Sequence, residues 1–171
     1  MKNIKTHVSS LLEDNKIKNV PVDLEKIATS LGLTIEYQPL DGEISGCLIR
    51  NENGGATIGI NSLEHPNRQR FTLAHEIGHY ILHKEESTFI DRKFYRSSNS
   101  KDGKRAEEIE ANDFAGQLLM PEEFLIKDIE ELQKSQDAEN GNAIEGLAKK
   151  YKVSKQALMF RLASLRPVKV S

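Results

Sequence analysis

A single cysteine, Cys47, stands in a chain of 171 residues. No internal disulfide can form, and the cysteine usage gives no sign of an oxidising compartment. Tryptophan is absent and aromatic residues make up 6%, which argues against a single-strand binder built on stacking platforms. Neither sign of charge dominates: 24 Lys and Arg face 26 Asp and Glu, for a net charge of −2. That balance excludes a chain built mainly to coat nucleic acid or an anionic membrane, although a local basic patch stays open. No apolar run approaches the ~20 residues of a membrane span. Residues 1–15 mix charge with short apolar pairs and lack the apolar centre of a signal peptide. The expectation is a soluble, cytoplasmic protein with no membrane partner.

The length suits one domain with a small appendage. A domain of this size buries about two thirds of its unfolded surface, so its core needs no staples. Apolar periodicity then locates the elements. Ile4, Val8, Leu11 and Leu12 give a helix over 4–14, and Val22, Leu24, Ile27, Ala28 and Leu31 a second one between Asp23 and Gly32. Leu33–Tyr37, Ile44–Ile49 and Ala56–Ile60 read as strands, the last two joined through Asn53-Gly54-Gly55 as an antiparallel hairpin. Pro66 marks the start of the strongest helix, 67–83, with its stripe of Phe71, Ala74, Ile77, Gly78 and Ile81. Residues 84–105 read as a long polar loop. A helix over about 105–119 stops before Pro121, 134–142 is a polar break, and short helices follow near 143–151 and 154–165. The organisation expected is a core over 1–133 and a C-terminal helical extension over 143–171, packed on that core.

His75-Glu76-Ile77-Gly78-His79 is an H-E-x-x-H motif in the middle of the best helix. Residues four apart on a helix differ by about 40° in direction and about 6 Å in height, so two imidazoles so spaced can converge on one Zn2+ ion. Glu76 flanks that position without ligating, which suits a general base acting on water. A catalytic zinc takes three protein ligands. His83 lies about 12 Å along the axis from His75, too far to share the ion easily. Leu82 and Glu85 stand where a longer motif would need Gly and His. The third ligand therefore comes from another helix, and 105–119 offers Glu107, Glu108 and Glu110. Glu108 shares the face of Ala111 and Ala115, with Glu110 its main competitor. Asn112, four residues on, can hold the Glu108 carboxylate. Ala111, Ala115 and Gly116 allow this helix to approach the metal helix closely.

Arg70-Phe71-Thr72-Leu73-Ala74-His75-Glu76-Ile77-Gly78-His79, then Glu108-Ile109-Glu110-Ala111-Asn112-Asp113-Phe114-Ala115 and Leu118-Leu119-Met120-Pro121, closely resemble the ImmA/IrrE family of metallopeptidases over about residues 20–165. The resemblance implies that the Glu three residues before the Ala-Asn pair, here Glu108, is the third zinc ligand. It also implies an α+β, zincin-like core. In that core a small, mostly antiparallel three-stranded sheet packs on the H-E-x-x-H helix and a second ligand-bearing helix, followed by the C-terminal helical pair.

The resulting expectation is a zinc endopeptidase with His75, His79 and Glu108 as metal ligands and Glu76 as the catalytic base, Mn2+ being the alternative ion. Tyr80, Tyr95 and Arg96 are candidates for the oxyanion donor, and strand Ala56–Ile60 is a candidate edge for pairing with an extended substrate. The resemblance further implies limited cleavage of a helix-turn-helix repressor encoded nearby on a mobile element. Residues 144–158 themselves look like a helix-turn-helix: Leu147, Ala148, Tyr151, Val153, Ala157 and Leu158 supply apolar positions and Ser154 an N-cap. Few base-reading side chains precede Leu158, so packing on the core is favoured there over DNA binding. The competing readings are a zinc-dependent regulator that binds a protein or DNA without cutting, and a hydrolase of another amide. Cys47 is read as a packing residue.

Overall fold

A computed structural model describes residues 3–52, 54–85, 87–92, 102–134 and 142–165. The elements are α1 (Ile4–Asp14), α2 (Leu24–Ser30), β1 (Leu33–Gln38), β2 (Ile44–Arg50), β3 (Ala56–Asn61), α3 (Pro66–Leu82), β4 (Thr88–Arg92), α4 (Asp102–Leu119), α5 (Glu122–Lys134), α6 (Ala143–Tyr151) and α7 (Lys155–Ser164). The fold is α+β, as expected.

The sheet has four strands rather than three, in the order β1-β3-β2-β4. The added strand, β4, lies inside the stretch read as a loop. Thr88-Phe89-Ile90 is a short run of good strand formers, and its polar flanks hide it from periodicity. The β2–β3 hairpin forms as expected, and Gly54 and Gly55 at φ 84° and 80° supply the left-handed backbone of its turn. β3 pairs with β1 in parallel on one side and with β2 antiparallel on the other. Both of its edges are used, so Ala56–Ile60 is not the substrate-pairing edge; the outer strands are β1 and β4.

Alternation puts Leu33 and Ile35, Ala56, Ile58 and Ile60, Leu48, and Phe89 on one face of the sheet, cross-paired as Leu33↔Ala56, Ile35↔Ile58, Leu48↔Ile58 and Leu48↔Phe89. α3 lies over this face and is buried from Thr72 through His79. Its approach to β2 depends on Gly46. A Cβ there would overlap the Thr72 methyl group and come within 2.9 Å of the Gly59 carbonyl oxygen.

α4 covers the far side of α3, and Ala111, Phe114, Ala115 and Leu118 are fully buried. The small residue that matters at this crossing is Gly78 of α3, where a Cβ would lie 3.0 Å from the Phe114 ring; nothing lies within 4 Å of a Cβ built on Gly116. Gly116 is thus not part of the close approach. A stripe of small residues in sequence does not reveal which of them borders a neighbouring helix.

α5 is an element the periodicity does not assign, because Pro121 reads as the stop of the preceding helix; it sits just before α5, where proline is tolerated. The C-terminal pair joins the same apolar cluster through Leu147, Ala148, Tyr151, Val153 and Leu158. Asp128 of α5 accepts hydrogen bonds from the Tyr151 hydroxyl at 2.8 Å and from Lys150 Nζ at 2.6 Å. Ser154 caps α7 by accepting from Ala157 N at 3.0 Å, as its position suggested.

Candidate metal centre

α3 starts where the sequence said it would, with Pro66 in its first turn and His65 accepting from Asn67 N. Its C-terminus is held from the sheet. Arg50 Nη2 of β2 donates to the carbonyls of Tyr80 and His83, each at 3.0 Å, and its guanidinium lies 4.8 Å from the centre of the Tyr80 ring. A cation on the last free carbonyls of a helix satisfies them and complements the helix dipole.

One helical turn separates His75 from His79, and their Nε2 atoms converge to 2.9 Å. Glu108 of α4 completes a triangle, with Oε2 3.4 Å from His75 Nε2 and Oε1 3.3 Å from His79 Nε2. These three side chains form a group that can hold a metal ion. Tetrahedral donors at ~2.0–2.1 Å from a zinc ion lie ~3.3 Å from one another, so the spacing fits with small adjustments. The donor set of two imidazoles and one carboxylate also matches what zinc takes in hydrolases. The Glu108 position agrees with the face argument; Glu110 lies elsewhere.

The electrostatics suit a cation. Burial pushes the His79 imidazole down to about 4, more than the neighbouring Glu108 carboxylate pulls it up. Burial acts to raise the Glu108 carboxyl, but the His75 and His79 imidazoles against it outweigh that and hold it well below the usual carboxylate range. A neutral His79 and an ionised Glu108 both offer lone pairs at neutral pH.

Glu76 is fully buried and its carboxylate lies toward Gly46 of β2. Asn112 does not hold Glu108. Its Oδ1 is 3.1 Å from His75 Nδ1, behind the ring, because the α3–α4 crossing brings that imidazole closer to Asn112 than the carboxylate one turn earlier.

Phe89 is a neighbour that the sequence does not single out, and His83 and Glu110 take a part other than the ligand role weighed for them. Phe89 of β4 stacks on His79 with ring centres 4.1 Å apart and planes at 21°. His83, set aside as a ligand, is buried with Nδ1 3.0 Å from His79 Nδ1. Glu110 Oε2 lies 3.0 Å from His83 Nε2. His83 could have been found from its spacing: it is again four residues after His79, on the same face of α3. Tyr95 and Arg96 lie outside the described residues. Cys47 is half-buried beside Gly59, and burial pushes its thiol up, which fits packing rather than reactivity.

Comparison with known proteins points the same way. The peptidase M78 family model, described as the IrrE N-terminal-like domain, matches residues 28–163. The radiation response metalloprotease IrrE of Deinococcus radiodurans is 33% identical over 142 residues, spanning 81% of this chain and 39% of that protein. Its counterpart in Deinococcus deserti is 33% identical over 135 residues, spanning 77% of this chain and 43% of that protein. The chain therefore spans less than half the length of these relatives. A solved Mycobacterium tuberculosis transcriptional regulator superposes with a TM-score of 0.67 at 15% identity, covering 100% of this chain and 49% of that one, and shares the fold.

Proposed function

Because the chain belongs to the ImmA/IrrE family of metallopeptidases, we propose that it is a zinc-dependent endopeptidase with a zincin-like site. The single observation that carries this is the convergence of His75, His79 and Glu108 on one position, with the buried Glu76 adjacent to His75 in the same helix.

In this reading those three residues hold the ion, zinc in preference to manganese. When bound, a divalent ion polarises water and the scissile carbonyl. Glu76 accepts the proton of the attacking water as the oxygen–carbon bond forms, and passes it to the nitrogen as the carbon–nitrogen bond breaks. The buried setting of Glu76 keeps bulk water from competing for that proton. His79 stays neutral, and the Glu108 carboxylate supplies negative charge to the ion.

The finer reading is limited cleavage of a helix-turn-helix repressor in the cytoplasm, with residues 1–133 as the peptidase core and 143–171 as an extension. The family resemblance supports it. A second reading, a zinc-dependent regulator that binds a protein or DNA without cutting, draws on the α6–α7 pair, whose Lys155, Met159 and Phe160 are exposed.

Glu76→Gln separates the two readings. The variant should retain zinc, because Glu76 is not in the ligand set, and lose ~10²–10⁴-fold in cleavage rate. The assay is incubation of the zinc-loaded protein with a candidate helix-turn-helix repressor, following one cut by mass spectrometry. Equal rates for wild type and Glu76→Gln would reject the mechanism, and no cut by either would favour the non-proteolytic regulator.

A further inference from the structure

His83 is 4% exposed and lies among polar groups that the site itself does not use. Its two ring nitrogens face different partners: Nδ1 faces His79 Nδ1 at 3.0 Å, and Nε2 faces Glu110 Oε2 at 3.0 Å. A neutral imidazole has one N–H and one lone pair. That rule orders every proton in the row.

His79 Nε2 faces His75 and Glu108. To offer its lone pair there, His79 must carry its proton on Nδ1. That proton points at His83 Nδ1, which must then accept. His83 therefore carries its proton on Nε2 and donates it to the Glu110 carboxylate, which only accepts. The reverse order fails at both ends. It would place the His79 proton in the middle of the donor set and set the His83 Nε2 lone pair against a carboxylate oxygen 3.0 Å away.

We propose that His83 and Glu110 are positioning residues. They form a carboxylate–imidazole relay that fixes the Nδ1–H form and the ring orientation of His79, so that its Nε2 is ready for a divalent cation. Asn112 serves the His75 ring in the same way through one neutral contact at 3.1 Å. The His79 branch is longer and ends in a charge, which makes its hydrogen bonds the stronger set. Phe89, stacked on the His79 ring, holds it from the other direction. The inference rests on the reading of His75, His79 and Glu108 as a metal site.

The test uses the full chain and zinc alone. Zinc affinity is measured by competition with a chromogenic chelator for wild type, His83→Phe, His83→Asn and Glu110→Gln. His83→Phe should bind ~10–100-fold more weakly, the usual cost of removing such a partner. His83→Asn should recover most of the loss, because its side-chain oxygen can accept where Nδ1 did. Glu110→Gln should fall between wild type and His83→Phe. A two-bond 1H–15N spectrum of the zinc-loaded wild type should show His79 protonated on Nδ1 and His83 on Nε2, a readout that mere packing would not dictate. His83 protonated on Nδ1, or His83→Phe binding zinc as tightly as wild type, overturns the relay and leaves the metallopeptidase reading standing. A wild type that binds no zinc overturns both.

Discussion

Gly46 shows how a residue far from any motif sets the geometry of the centre. It lies on β2, two positions before Leu48 on the same face, where Thr72 and Glu76 of α3 press against the strand. A methyl group there has no room, and its nearest obstacles are a branched side chain and a backbone carbonyl, neither of which yields cheaply. Gly46→Ala should cost about 1–3 kcal/mol, the usual range for overpacking a filled interior. Urea denaturation of the two proteins measures it, and an unchanged midpoint would mean that α3 can shift off the sheet. His75, Glu76 and His79 were legible in the sequence because their spacing alone puts them together. Gly46 was not, because a glycine in a strand pattern has the same appearance whether it borders solvent or a helix.

Elements carry the next layer of information. α3 and α4 were readable from their apolar stripes, and the face shared by Glu108, Ala111 and Ala115 picked out the carboxylate that lies beside His75 and His79. β4 and α5 were not readable. The first is five residues long in a polar stretch, and the second begins just after a proline that also serves as a helix start. α5 has a structural duty through Asp128, which is 8% exposed and joined to both Tyr151 and Lys150 of α6. Burial raises the Tyr151 hydroxyl pKa, and the Asp128 bond raises it further, so the phenol stays a donor. Tyr151→Phe removes one bond to a mostly buried carboxylate and should destabilise the protein by about 1–3 kcal/mol. Its zinc affinity should stay at the wild-type value, since α6 supplies no ligand. A thermal melt and a chelator titration together check this, and a large loss of zinc affinity would tie α6 to the centre.

At the scale of the whole molecule an ion held by the proposed ligands would clamp two helices together, across the 33 residues from His75 to Glu108. A ligand that binds only the folded chain stabilises it by mass action, by about 2.7 kcal/mol when the free ion is at 100 times its dissociation constant. Zinc should therefore raise the melting temperature of the wild type and leave that of His75→Ala nearly unchanged, as differential scanning calorimetry would record. An equal rise in both would mean that the ion binds elsewhere. Among the described residues no helix is long and apolar enough to cross a membrane, in keeping with the absence of long apolar runs in the sequence.

The sequence by itself determined the paired imidazoles, the acid between them and the helix that presents them, because i to i+4 spacing is a local property fixed by 3.6 residues per turn. It also favoured Glu108 over Glu110 as the third member of the group, because a helical face is local too. The tertiary structure alone decided that β3 is an inner strand, that Asn112 serves His75 rather than Glu108, and that Glu110 meets His83. Those outcomes depend on strand order and on the crossing of α3 with α4. Both are set by non-local packing of apolar faces that one-dimensional periodicity leaves undetermined.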